Sequence, residues 1–490
     1  MAIIPNDEQF IGVSSSVDMT EKKSSQVNRT TQVYTLQDFS DSLTPDLTPI
    51  TVDGNSVSIA SDPTATTQAM AVIQATTLNS GIALVTGGAI TAHVPDGGSA
   101  GGNARGAGAV DLQIRRVGVA ATMVASGLGS VLLGGQRSTA SGQFSFAMGN
   151  TNTASGNNSM SIGGSGNTAS SIASAVLGGE SNTASTGTHA TVVGGQSNVS
   201  SGAHSISGGQ GNTSSGQYSV SGGSSNTASG RSAVALGRLN NATAFESYAI
   251  GDGNSSSSGG GMSIGVLNNT SGGIRNYAFG QGNNVSSSGT NNVAIGTGNA
   301  INSGIYNIAL ATFADHQGAS YSTSIGISPS AYLRNQFVHG SVGGSPVRAR
   351  VQTSNLISYK DDTLNSAATT VLSLDGTGTT NLIIPLNNNR LWAAKVTATA
   401  FVNAVSGTTL VLGDSYMGEY TILFKRVGGT SSVVGVTGGA VISDTNMSTA
   451  AFNFSAGASQ ELSITFVAPT TASADTFRCV AKVELVEVAY

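Results

Sequence analysis

Along the middle of the chain, large and small residues alternate in triplets that each end on glycine. Clear copies are Phe146-Ala147-Met148-Gly149, Met160-Ser161-Ile162-Gly163, Val234-Ala235-Leu236-Gly237, Tyr248-Ala249-Ile250-Gly251 and Val293-Ala294-Ile295-Gly296. The closing glycines fall at 134, 149, 163, 178, 194, 208, 222, 237, 251, 265, 280, 296, 326 and 340, with Ala311 standing in for one of them. Successive marks lie 14 to 16 residues apart, a period that predicts coils stacked one upon the next. Several copies carry a second, weaker phrase, as in Asn152-Thr153-Ala154-Ser155-Gly156, Asn182-Thr183-Ala184-Ser185 and Asn226-Thr227-Ala228-Ser229-Gly230. At roughly 3.3 Å per residue, so short a coil holds two short strands and two tight corners. Glycine and asparagine enter left-handed backbone cheaply, which assigns them to the corners.

Within the first strand of each coil, alternation sends Phe146 and Met148 to one face and Ala147 to the other. Periodicity separates the two sets without saying which one faces inward. A roll this thin buries little apolar surface per chain, so association of several copies about the long axis is expected to supply the missing core. Fourteen to fifteen coils at about 4.8 Å each predict a rod of roughly 70 Å.

The phrases Asn292-Val293-Ala294-Ile295-Gly296 and Ser247-Tyr248-Ala249-Ile250-Gly251 resemble the head repeats of trimeric autotransporter adhesins. That resemblance covers about 215 residues and implies a parallel β-roll with three chains side by side. Similar rolls are used in phage fibres. The resemblance therefore speaks to architecture more than to biology.

The flanks read differently. Residues 1–45 are relatively charged: Phe10-Ile11 suggests an extended arm, and Tyr34 to Leu43, with apolar Leu36, Phe39 and Leu43, reads as a short amphipathic helix ended by Pro45. The opening resembles the N-terminal segments of phage tail-fibre proteins, which implies a virion-attachment role for Phe10, Ile11, Tyr34, Leu36 and Phe39. Residues 46–125 hold short β-like runs, with Gln68 to Leu78 readable as a short helix. The shaft spans 126–340, and 341–354, with Gly343-Gly344-Ser345-Pro346, read as a neck. From 355 to 490 the strands lengthen and become two-faced, predicting an antiparallel β-sandwich or jelly-roll knob. Its ending resembles terminal domains of phage tail fibres. The expected fold is thus all-β: a homotrimeric parallel β-roll of 14–15-residue coils, a C-terminal antiparallel β-sandwich knob, and a small N-terminal attachment region.

Composition narrows the function. Charged residues are only 9%, net charge is −5 and glycine numbers 66. No basic stripe exists, so nucleic acid is not an expected partner. No run of about 18 apolar residues predicts membrane insertion. The start lacks the basic flank and apolar run of a signal peptide, so synthesis in a cytoplasm without export is expected. The lone Cys479 excludes an intrachain disulfide framework and lies in an alternating strand, where burial is expected. Trp392, also single, reads as a core anchor rather than a sugar-stacking platform.

Catalytic chemistry is hard to assemble. Cleaving a polysaccharide calls for two carboxylates on one groove, and the repeats hold only Glu180, Glu246, Asp252 and Asp315. Glu246 and Asp252 form the one conceivable pair and read as corner residues. His93 beside Asp96 reads as a surface-turn pair, and Asp315-His316 as a corner dipeptide. No cofactor or metal is called for, and the chain reads as a non-enzyme. The expectation is a trimeric structural fibre or spike on a bacteriophage virion. It would be held by a phage tail or capsid protein at its N-terminus. Its knob would bind a host-surface glycan or outer-membrane component, with Asp414, Tyr416, Asp444 and Asn446 in the candidate receptor loops. A bacterial trimeric adhesin, a capsid fibre and a glycan-degrading tailspike are the alternatives.

Overall fold

The computed structural model describes residues 87–113, 115–116, 120–342, 351–379, 383, 390–458 and 460–489, together with short strands before residue 86. Among the described residues there is no α-helix, only strands, turns and one 3₁₀ turn at Thr445–Met447. The chain divides into two compact units, residues 1–181 and 182–490.

In the first unit, strands Ala2–Ile4, Gln9–Ile11 and Val33–Thr35 form an antiparallel sheet, Phe10 pairing with both Ile3 and Tyr34. Tyr34 and Thr35, expected to open a helix, are strand residues instead. Leu36, Phe39 and the helix expected over 68–78 lie outside the described residues. Thr51–Asp53 and Ser56–Ser58 make a small hairpin. Parallel pairing begins upstream of the first counted glycine, where Ala89–Thr91 joins Val110–Leu112 and then Val131–Gln136. These opening coils are about twenty residues long, outside the regular period. Regular coils follow, with Phe146 between Val131 and Met160, and Met148 between Leu133 and Ile162.

The same coil recurs in the second unit. Strands Val234–Arg238, Tyr248–Asp252, Met262–Val266, Tyr277–Gln281 and Val293–Thr297 stack in parallel and in register. The structure decides the question of facing: the small middle residue points in. Ala235, Ala249, Ser263, Ala278 and Ala294 are fully buried. Opposite them, the short strands contribute Ala228, Ala242, Ser256, Thr270, Val285 and Ile301, also fully buried. Small against small, and later small against medium, fills an interior too narrow for a Phe or Met on both walls.

The asparagine that opens the second phrase is a correction. It was assigned to the corner for its tolerance of left-handed backbone, yet in most coils the left-handed residue is the one before it, such as Ser197, Ser225 and Leu239. The asparagine itself is buried and forms a ladder through the second unit. The Asn226 Nδ2 donates to the carbonyl of Gly222 at 2.9 Å and of Gly237, one coil on, at 2.7 Å. Its Oδ1 accepts the Asn240 backbone N–H at 2.9 Å. This is repeated at Asn240, Asn254, Asn268, Asn283 and Asn299, so side-chain amides satisfy the corner groups that the coil's own strands cannot.

The marker glycine is needed twice over. Gly237 has φ +116°, and a Cβ placed on it would lie 2.1 Å from the carbonyl oxygen of Gly251 in the next coil. Only a residue without Cβ lets the coils stack at that corner.

Downstream, the last coil strand, Phe337–Val342, pairs antiparallel with Val351–Leu364. From there the sheet continues through Asp475–Ala489, Arg390–Ala404 and Ser415–Val427 to Thr430–Ser443. A second sheet contains Thr369–Val371, Leu462–Val467 and Ala451–Ala456. The two sheets share one core around Trp392, Phe424, Phe466 and Phe477. Phe466 of the second sheet contacts Phe477 of the first at 5.4 Å between ring centroids, and each such buried ring contributes about 1.5–3 kcal/mol. A buried polar cluster stitches the coils to these sheets. Glu487 pairs with Arg390 at 2.8 Å and accepts from the Tyr332 hydroxyl at 2.5 Å and from Gln352 Nε2 at 3.1 Å. Burial in front of Glu487 pushes the Tyr332 hydroxyl far above the usual phenol range.

Candidate functional site

Because the small set turns inward, the large set lines the outside of each coil in two columns. One holds Val234, Tyr248, Met262, Tyr277, Val293 and Ile308, the other Leu236, Ile250, Ile264, Phe279, Ile295 and Leu310. None of these is buried; Leu236, Ile295 and Leu310 are 36–43% exposed. Together they form a continuous, partly exposed apolar band on one face of the coils.

At the end of the coils the band runs into the C-terminal sheet. Phe337 and His339 point outward and pair with Asn355 and Thr353, which also point outward. The same rows cross the sheet, from Thr353 to Val486, Ala393 and Leu423, and from Asn355 to Glu484, Lys395 and Thr421. This outer face holds a shallow, open groove of about 560 Å³. Its charges are self-neutralising, Lys482 lying 2.5 Å from Glu484 and Lys395 3.7 Å from Glu419.

The residues singled out in the candidate receptor loops do come together, but their polar atoms are used within the chain. Asp414 is 8% exposed and accepts from the Val411 N–H at 2.9 Å and from Asn446 Nδ2 at 3.1 Å. Asp444 accepts the Ser415 N–H at 2.6 Å. The Tyr416 hydroxyl meets that of Tyr420 at 2.8 Å, its ring packed against Phe452. The four residues brace the turn between two strands. What the sequence reading missed is next to them: Val411 and Leu412 are 57% and 70% exposed. The adjacent strand Thr430–Ser443 carries exposed Val434, Val436, Val441 and Ile442. The signal was legible in the run Thr430 to Ser443, which has neither a charge nor a proline.

The two carboxylates expected at corners occupy different places on the coil. Glu246 sits at a corner with φ +51°, while Asp252 ends the strand Tyr248–Asp252 and is bound to Arg238 of the preceding coil at 2.8 Å. Asp96 braces its own loop, accepting from the N–H groups of Gly98 and Gly102, and these and neighbouring amides hold its carboxyl below the usual range. His316 corrects the reading of a corner dipeptide. It lies in the short strand Asp315–His316 with its ring in the coil interior, Nδ1 2.9 Å from Ser322 Oγ and Nε2 2.7 Å from Ser324 Oγ. Burial depresses its pKa to about 4. Cys479 and Trp392 are buried as expected, and burial drives the thiol pKa upward. Among the described residues, no group of three or more His, Cys, Asp and Glu side chains could hold a metal ion.

No protein-family model matches the chain, and no curated protein matches it. Among solved structures it is similar to the tailspike protein of Acinetobacter phage vB_ApiP_P1. That match has 10% identity, covers 82% of this chain and 76% of that one, and has a TM-score of 0.22. A second match is the tailspike protein of Acinetobacter baumannii phage AM24, at 9% identity, 82% and 77% coverage and a TM-score of 0.20. Superpositions so loose carry no argument. The chain's own geometry defines a β-solenoid protein whose last coil passes by antiparallel pairing into a two-sheet domain.

Proposed function

We propose that this chain is a structural spike or fibre protein of a bacteriophage particle, assembled as a homotrimer. Its N-terminal region joins a tail or capsid protein, and its C-terminal domain meets a host-surface glycan or outer-membrane component. The observation that carries this reading is the apolar band on the outside of the coils. A solenoid that fills its interior with Ala and Ser and leaves Leu, Ile, Phe and Tyr outside gains stability only when neighbouring copies cover that band. The resemblance of the coil phrase to adhesin heads supplies the number three, and the resemblance of the two terminal segments to phage tail fibres supplies the setting. Mechanically, coils joined by ladders give a stiff stalk, and three terminal domains turn weak contacts into avidity.

Light scattering on the purified chain tests the assembly. The expected mass is three times 48.7 kDa, and a monomer at micromolar concentration overturns it. Imaging of intact particles with antibody against the terminal domain tests the placement; particles without label defeat it. Incubation with host polysaccharide and a reducing-end assay separates binding from cleavage, since any turnover overturns the non-enzymatic reading.

A further inference from the structure

Among the described residues, the strand Thr430–Ser443 is an edge of the large C-terminal sheet, with Ser415–Val427 as its ladder partner. Edge strands are normally guarded by charge, proline or a covering segment, and this one has no charge and no proline over 14 residues. Two register irregularities interrupt its pairing; at its start the Ser431 N–H and hydroxyl donate to Gln460, while Val434, Val436, Val441 and Ile442 stay exposed. The exposure is on both sides. Ile442 pairs with Met417 on the outer face, while Val436 and Val441 pair with the buried Ile422 and Gly418 on the core-facing side. Those two valines are nevertheless 45% and 52% exposed.

On the same domain, the outer sheet face carries the groove walled by Thr353, Ala393, Leu485 and Val486. The edge is apolar and exposed, and the charges of the shallow groove are already paired. We propose that the C-terminal domains close into a ring in which the apolar edge strand of one copy seats in the groove on the outer sheet face of the next. This rests on the trimeric reading above and says where its contacts continue.

Three arguments favour a second copy as the occupant. The groove is continuous, through Phe337 and His339, with the band that the proposed trimer covers. A three-fold assembly cannot pair one edge with itself, so each edge must meet a different surface of its neighbour, and a head-to-tail contact of this kind closes into a ring. The area also fits. A fully exposed Val, Leu or Ile presents roughly 60–120 Å² of apolar surface. Val411, Leu412 and the four exposed strand residues, each about half open or more, therefore contribute roughly 200–400 Å². With the backbone edge itself, that is a large part of the roughly 800 Å² per partner of a stable interface.

The test is crosslinking in the full chain. Val436→Cys and Val486→Cys, alone and combined, are treated with a short bis-maleimide, then run on a denaturing gel; light scattering of the untreated proteins reports the assembly. Covalent trimers from the double variant, with only monomers from either single variant, support the ring. Crosslinked dimers from Val436→Cys alone would mean edge-to-edge pairing and overturn it. A double variant that is trimeric by scattering yet does not crosslink overturns the ring and leaves the trimer standing, whereas a monomeric wild type defeats the trimer itself. Ile442→Lys serves as a second probe. It is expected to keep the wild-type circular dichroism spectrum while abolishing crosslinks in the double-cysteine background, and unchanged crosslinking counts against the seating. Oligosaccharide that binds the assembled trimer and is lost in Val486→Lys would show the groove to be open, also against the proposal.

Discussion

Removing one rung of the asparagine ladder is the sharpest perturbation the structure offers. Asn254 is 1% exposed. Its Nδ2 donates to the carbonyl of Ile250 at 3.0 Å and to that of Gly265, one coil on, at 2.7 Å, and its Oδ1 accepts the Asn268 N–H at 3.0 Å. Asn254→Ala therefore strips a partner from three buried backbone groups in two successive coils. At about 1–3 kcal/mol for each group left wanting, with partial relaxation, the expected loss is about 3–6 kcal/mol. Ser255→Ala, on the outward side of the next residue, is the control and should stay within about 0.5 kcal/mol. Guanidinium unfolding followed by circular dichroism gives the totals. Hydrogen exchange at the Asn268 amide shows whether the damage is local. Asn254→Asp sharpens the test, because a carboxylate keeps the acceptor and turns an anionic oxygen toward two carbonyls. Its folded-state pKa is expected to rise above the unfolded value of about 3.9, so its deficit should shrink as pH falls through that raised pKa and level off below about 3.9, where the protonated acid donates again. A loss in Asn254→Ala no greater than in Ser255→Ala would refute the claim that amide rungs hold the coils together.

The other expectations are shorter. His316 has a folded pKa of about 4 against 6.5 unfolded; the unfolded chain binds the proton first, so stability is full above pH 6.5 and falls as pH drops toward 4, by about 3 kcal/mol. His316→Val should flatten that slope in unfolding measured at pH 7 and pH 4. Gly237→Ala must place a Cβ against the Gly251 carbonyl at φ +116°, so a loss of at least about 1–3 kcal/mol is expected. By contrast Leu239→Gly, at an exposed corner with φ +57°, should be stabilising or neutral, since it relieves about 1 kcal/mol of left-handed strain. Thermal melts of the two compare them directly. Glu487→Ala leaves Arg390 buried without its partner and should cost about 3–5 kcal/mol, read as earlier unfolding of the C-terminal domain by the fluorescence of Trp392.

Much of the coil was legible because its signal is local. A glycine that must accept φ near +120° and leave room for the next coil's carbonyl cannot be replaced silently, so it marks the period wherever it stands. Alternation within the triplet and the longer two-faced runs after residue 355 were readable for the same reason. The receptor loops were less so. Asp414 and Asn446 look like any polar turn pair in sequence, and only the packing of the hairpin shows their atoms bonded to each other. The opening coils were less legible because their length departs from the period, which pointed to one extra coil at Val117-Gly118 rather than to the strands Ala89–Thr91 and Val110–Leu112, and His316 because a buried ring satisfied by two serines has no local signature.

The sequence alone determined that the chain winds in short strands cornered on glycine, since period and alternation follow from the backbone of each residue and its nearest neighbours. The tertiary structure decided which face is inside, because that depends on the distance between two opposed strands, fixed only when Ala249 meets Ala242 across the coil. It also decided that asparagine is a rung rather than a turn residue: of the three groups that Asn226 holds, two lie eleven and fourteen residues further along the chain, yet only one coil away in space.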